Sequence, residues 1–386
     1  MQDHEQLNEA IVALCRMDGK PSARFASVLE ADPTNATASV ALAYMDLYAQ
    51  VPPSVASARE RIAPLMDTAG DDLHLQAAAA WIDGDLQRCL AALAAQAVRD
   101  PKDLLALRVG QDIAFYLGDA PALRDLPGQA LGAWDPDDPS IGLVMSMHAF
   151  GLEETGELGL AEDKVRHALD LDAGDVWGVH TLAHVLETGA RVDEGVAMMA
   201  DTLADWESSF FATHNYWHHG LFLIAAGDID GALGLVDGPL ARRQGDVWLH
   251  LIDVASLLWR LSLEGVDVAE RASTMVEIFA GRVEPAFSPF NDLHTAMVAT
   301  LADRPDVVAE LLASRRATGW PDGDSRRARA GMTVIEAIGA FGAGTFDDSA
   351  DLLASATADA HLIGGSHAQR DVLALTRRSA MERSRP

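Results

Sequence analysis

A turn that recurs every 33–40 residues is the strongest constraint on this chain. Apolar-rich stretches stop at a short Gly- or Asp-containing break and restart as a second amphipathic stretch. The breaks read AWIDGDLQRCL at Gly84, FYLGDAPAL at Gly118, LEETGELGLAE at Gly156 and LETGARVDEG at Gly189, and continue at Gly227, Gly265, Arg304 and Gly344. A period in this range is the mark of helix-turn-helix solenoids. Gly supplies the left-handed residue that closes one helix, and an Asp behind it caps the next. Ala-rich runs at 77–80 and 91–97 favour helix and let neighbouring helices approach. No useful length of sequence alternates as a strand does. One hairpin cannot bury its own apolar face, so stacking is required. The expectation is about eight helical hairpins forming one body over residues 1–376, with a flexible tail at 377–386. Pro-rich breaks at 135–140 and 281–289 read as inter-repeat loops. Trp177, Trp206, Trp217, Trp248 and Trp259 read as packing between helix layers.

Composition narrows the partners. Hydrophobic residues make up 49% and charged residues 23%, which excludes disorder over most of the chain. Lys+Arg 29 against Asp+Glu 58 gives a net charge of −29. So acidic a surface repels phosphate backbones and anionic lipid heads, so neither nucleic acid nor membrane is an expected partner. Only Lys20, Lys102 and Lys164 are lysines, and this bias, with abundant Ala, Asp and Gly, points to a GC-rich bacterial source. Cys15 and Cys89 make no disulfide framework and read as small buried residues in a reducing compartment. The start MQDHEQLNEA has no basic segment leading into an apolar run, and no apolar stretch approaches a membrane span. A cytoplasmic protein is expected.

Five of the thirteen histidines fall within residues 180–219: His180, His184, His214, His218 and His219. His180/His184 and His214/His218 are spaced i,i+4, which places each pair on one helical face. Glu187 extends the first face. Counted back from the closing break, His180 and His218 hold equivalent positions in adjacent repeats. Asp253 and His294 fall at similar depth in the next two, so four consecutive repeats would offer ionisable groups to one groove. Imidazoles beside carboxylates transfer protons near neutral pH or bind a divalent metal. Metal-free acid/base work and a metal on His180, His184, His214 and His218 both remain open. Thr181 stands where an HExxH zinc-peptidase helix carries Glu. A second stretch, HLIGGSHAQRD (361–371), stops one helix at Gly364-Gly365 and restarts with Ser366 as N-cap. His367 and Asp371 are again i,i+4, and Arg370 beside free N–H groups would suit an anion. No nucleotide-cofactor motif is present.

The phrases HTLAHVLETGARVDEG (180–195), ADWESSFFATHNYWHHGLFLIAAGD (204–228), DVASLLWRL (253–261), NDLHTAMV (291–298) and GGSHAQRD (364–371) resemble the tetratricopeptide repeat protein 38 family. The resemblance is strongest from about residue 140 to 372. It implies an all-α, TPR-like α-solenoid and shared site residues, not a reaction. Its motifs fall on His180, His184, Glu187, His214, Asn215, Trp217, His218, Asn291, Asp292, His294, Gly364, Gly365, Ser366, Gln369, Arg370 and Asp371.

Two functions follow. The first is a solenoid pocket that binds and acts on a small polar or carboxylate-bearing molecule by hydrolase-like acid/base or metal-assisted chemistry. His180, His184, Glu187, His214, His218, Asp253, His294 and His367 would be the catalytic set. Asn215, Trp217, Asp292, Ser366, Gln369, Arg370 and Asp371 would hold the ligand. The second is a non-catalytic scaffold for a peptide or protein. Peptide-holding TPR grooves present Asn, Lys and Arg, whereas this one presents His, Asp and Glu, which favours the first. Apolar end repeats leave a homodimer open.

Overall fold

Left-handed backbone falls where the breaks predict it. Gly84, Gly118, Gly156, Gly227, Gly265 and Gly344 have φ between 68° and 87°. Asp85, Asp119 and Asp228 then accept from backbone N–H groups three residues on and start the next helices. At two breaks the left-handed residue is displaced by one: Ala190 follows Gly189, and Asp303 precedes Arg304. Met17 and Gln50 also take left-handed backbone, at φ 55° and 53°. They add two hairpins to the expected eight.

The structure is a computed structural model and describes residues 2–17, 19–67, 70–242 and 247–385, with residues 2–4 as backbone only. Its helices are α1 (Gln2–Cys15), α2 (Pro21–Ala31), α3 (Ala36–Tyr48), α4 (Pro52–Met66), α5 (Leu73–Ile82), α6 (Leu86–Arg99), α7 (Leu104–Leu117), α8 (Ala120–Ala130), α9 (Ile141–Glu154), α10 (Leu158–Leu171) and α11 (Val176–Thr188). They continue as α12 (Val192–Asp201), the single turn α13 (Leu203–Trp206), α14 (Ala212–Ala225), α15 (Ile229–Leu235), α16 (Trp248–Leu263), α17 (Ala269–Ala280), α18 (Pro289–Leu301), α19 (Pro305–Thr318), α20 (Ser325–Gly342), α21 (Phe346–Ala356) and α22 (His367–Arg383). There is no strand among the described residues. The molecule is an all-α, TPR-like solenoid of helical hairpins.

The two helices of a hairpin differ in burial. In α11 every residue from Val176 to Leu186 is buried, while α12 buries Gly195 and Met199. In α16 the run Leu251–Leu261 is buried throughout; α17 shows a single stripe of Ala272, Met275, Val276 and Phe279. In these two hairpins the first helix is packed on all sides, and the second presents one amphipathic face. Polar residues on first helices are therefore drawn into the interior, and the candidate histidines lie there.

The chain divides into two compact units where the sequence suggested one body. Unit 1 comprises residues 1–115 and 119–222, and unit 2 residues 116–118 and 223–386. Within unit 1 the first hairpin turn contacts distant helices. Arg16 pairs with Asp172 at 3.0 Å, the Cys15 thiol donates to the Leu104 carbonyl, and Ser209 donates its hydroxyl to the Met17 carbonyl. Cys15 and Cys89 are buried free thiols, and burial pushes both up to about 12. The expected tail is helical to Arg383, with Ser379 and Ala380 buried. The five tryptophans named above are all buried. No helix of the described residues is long and apolar enough to cross a membrane.

Candidate functional site

The helical face predicted for α11 carries His180 and His184; that of α14 carries His214 and His218. The two faces meet in unit 1. Ring centroids are 4.6 Å apart for His180/His184, 5.0 Å for His180/His214, 5.1 Å for His180/His218, 4.5 Å for His184/His218 and 5.0 Å for His214/His218. One ring nitrogen from each of the four lies within 4.8 Å of the others. His184 Nε2 and His180 Nε2 share a hydrogen bond of 3.0 Å. None of the four residues is more than 4% exposed. Phe150, Phe211 and Trp217 pack around the rings, Trp217 stacking on His214 with planes 15° apart.

Carboxylates stand behind two of these rings. Glu187 Oε2 lies 3.2 Å from His218 Nδ1. Glu153 Oε2 lies 3.8 Å from His184 Nδ1, and the other Glu153 oxygen accepts from Thr188 at 2.6 Å. A carboxylate on the outer nitrogen fixes the tautomer and orients the inner one, as it does behind metal-bound imidazoles. Glu187 was legible from its spacing. Glu153 was not, and neither was Glu154, which with Glu153 and His184 forms a second buried group able to hold a metal. Their signal was a repeated phrase: LEETG before Gly156 matches LETG at Gly189, and Glu154 and Glu187 precede their break glycines by the same distance.

Arg108 is the other residue the sequence reading missed. It is fully buried on α7, with its guanidinium carbon 4.0 Å from the Trp177 ring centre. Trp177 in turn lies 4.6 Å from the His180 ring. Arg108 pairs with Asp112, which also accepts from the Tyr48 hydroxyl at 2.6 Å. Burial, then the neighbouring imidazoles and Arg108, hold His180 well below the ordinary histidine range, so it is neutral. Asp175, buried at the start of α11 and bonded to Ser146 at 2.6 Å, is pushed by burial up to about 7. Asn215 is fully buried, and neither polar atom of its side chain has a hydrogen-bond partner among the described residues.

Of the four repeats expected to offer groups to one groove, those of Asp253 and His294 fall in unit 2. There the predicted residues serve one another and the backbone. His294 Nδ1 donates to the Phe290 carbonyl one turn back at 2.8 Å, and burial lowers it to about 4. Asp292, expected to hold ligand, accepts from Arg315 at 2.7 Å and Trp320 at 2.8 Å. Asp253 is buried on α16. Ser366 and Gln369 form a reciprocal capping box at the start of α22. Arg370 donates to the Gly365 carbonyl, and Asp371 accepts from Arg260 rather than serving only to orient His367, which is exposed. Gly364 and Gly365, at φ 91° and 81°, allow this reversal; a side chain at Gly365 would strike Phe290.

No family model matches the chain. Among solved structures it is similar to the P58(IPK) TPR domain, at 12% identity and a TM-score of 0.22, over 86% of this chain and 95% of that one. The assignment of the fold rests on the helices and turns described above.

Proposed function

We propose that unit 1 holds a divalent transition metal on His180, His184, His214 and His218, and that a small polar or carboxylate-bearing molecule is bound and acted on there by metal-assisted acid/base chemistry of the hydrolytic kind. The observation that carries this reading is the convergence of four buried imidazole nitrogens. An all-nitrogen, neutral donor set suits zinc and its first-row neighbours. Nitrogens around zinc at about 2.0–2.1 Å lie ~3.4 Å apart, and the observed spread, from 3.0 Å to within 4.8 Å, brackets that value. Glu187 and Glu153 are positioning residues that act through His218 and His184. A metal here would supply Lewis acidity, and an activated water if it took a fifth ligand beside the four imidazoles.

Metal analysis of the purified full chain tests the reading. One equivalent of bound ion is expected, with visible absorption bands when cobalt(II) replaces it. His180→Ala and His218→Ala are expected to lose ion and ligand with helical circular dichroism nearly unchanged. A chain with no stoichiometric ion and no cobalt bands, whose four His→Ala variants simply lose stability alike, overturns it. In the alternative, a peptide or protein scaffold, the same variants keep partner binding.

A further inference from the structure

Buried N–H groups need acceptors, and one on each of three neighbouring side chains beside the imidazole cluster has none among the described residues. Arg108 spends Nε and Nη2 on Asp112, and its Nη1 has no hydrogen-bond partner among the described residues. Trp177 Nε1 has none, and neither does His180 Nδ1. All three side chains are at most 5% exposed. They form a continuous stack, with Arg108 4.0 Å over Trp177 and Trp177 4.6 Å from His180. Arg and indole N–H groups are donors only. With His180 Nε2 turned to the other imidazoles, its Nδ1 is the donor as well. Leaving such groups unsatisfied costs about 1–3 kcal/mol each, more for a charged one.

The neighbouring rings show what is missing. His218 and His184 each have a carboxylate behind Nδ1, Glu187 and Glu153 respectively. Among the described residues no carboxylate is bonded to His180; Trp177 packs on its ring and the guanidinium of Arg108 lies over Trp177. We propose that Arg108, Trp177 and His180 form an oxyanion subsite that receives the carboxylate of a small ligand beside the metal centre. The inference rests on the metal reading above and names the ligand class of that site. The bound carboxylate accepts from Arg108 Nη1, the strong charge-assisted bond of the set, and from the indole and imidazole N–H groups. It completes for His180 the arrangement that Glu187 and Glu153 provide for the other two rings. The cation of this subsite is Arg108 of α7.

The test is calorimetric titration of the cobalt-loaded full chain with acetate and with inorganic phosphate, at constant ionic strength with chloride as reference, while the cobalt spectrum is followed. Two variants remove donors: Trp177→Phe deletes the indole N–H together with part of the ring, and Arg108→Lys keeps the charge beside Asp112. Acetate is expected to bind once per chain and to shift the cobalt bands. Each variant is expected to bind acetate about tenfold more weakly, with the acetate-free spectrum unchanged. Unaltered binding in both variants, or acetate no better than chloride, overturns the subsite and leaves the metal reading standing. Phosphate stronger than acetate overturns the carboxylate assignment. Donor-dependent acetate binding in a chain that shows no cobalt bands supports the subsite and overturns the metal reading. If Arg108→Lys does not fold, Trp177→Phe decides alone: a spare N–H would leave binding unchanged on removal.

Discussion

The polar residues of unit 1 and unit 2 look alike in sequence and behave differently in structure. His180, His184, His214 and His218 in unit 1, like Asp253, Asp292 and His294 in unit 2, sit on first helices of hairpins and are almost wholly buried. In unit 2 each of several groups finds a partner of opposite hydrogen-bonding sense: Asp292 with Arg315 and Trp320, His294 with a backbone carbonyl, Ser366 with Gln369. In unit 1 four imidazoles turn on one another, with Glu187 and Glu153 backing two of them, while Arg108 Nη1 and Trp177 Nε1 find no acceptor among the described residues. A set of complementary groups is complete and stiffens the fold. A set of similar groups is what the metal and carboxylate proposed above would complete. Burial alone does not separate a structural polar cluster from a binding one; the sense of the partners does.

Three measurements can break or sharpen this contrast. The largest effect is expected from Asp292→Ala. It leaves Arg315, whose side chain is fully buried, without its inner carboxylate, and removing one member of a buried pair costs about 3–5 kcal/mol. Denaturant unfolding of the full chain, with hydrogen exchange to localise the loss to α18 and α19, reads it. A cost below about 1 kcal/mol would mean that the unit 2 cluster is not the self-sufficient one. Next comes pH. His294 falls to about 4 in the folded chain from 6.5, so the unfolded chain takes the proton first. Its contribution is whole above pH 6.5 and drains away between 6.5 and 4, by roughly 3 kcal/mol. Asp175 in unit 1 has the opposite sign: raised from 3.8 to about 7, it favours the folded state at low pH and loses that contribution as pH climbs through this window. Comparing wild type with His294→Leu and with Asp175→Asn, from pH 4 to 7.5, should give difference curves of opposite slope. The smallest effect is Ser366→Ala, which removes one half of the capping box at a cost of about 1 kcal/mol and should shift the unfolding midpoint without touching metal content. Loss of metal on that substitution would tie the α22 start to the centre and undo the contrast.

Most of the architecture was legible because its punctuation is chemical. A left-handed residue favours glycine, so Gly84, Gly118, Gly156, Gly227, Gly265 and Gly344 announce their turns. Met17 and Gln50 were missed because side chains there tolerate the same φ and leave no mark in composition. Ala190 and Asp303 displaced two turns by one residue for the same reason. At the site, the i,i+4 pairs fixed which ring faces which. Helical phase does not reveal whether an interior ring nitrogen is already taken by a carbonyl one turn back, as at His294, so phase alone grouped His294 with His180. Arg108 was beyond reach of this reasoning: its sole local sign is Asp112 four residues on, an ordinary surface pattern that here lies inside.

The contacts of residues 15–17 bear on how this molecule is made. Neighbouring hairpins are local partners and can stack as they leave the ribosome. The Arg16–Asp172 and Met17–Ser209 contacts instead span 156 and 192 residues. Such long loops close late. The α1–α2 hairpin therefore waits for α10 and the segment before α14 to be made before its turn is fastened, and until then Cys15, buried in the folded chain, lacks its cover.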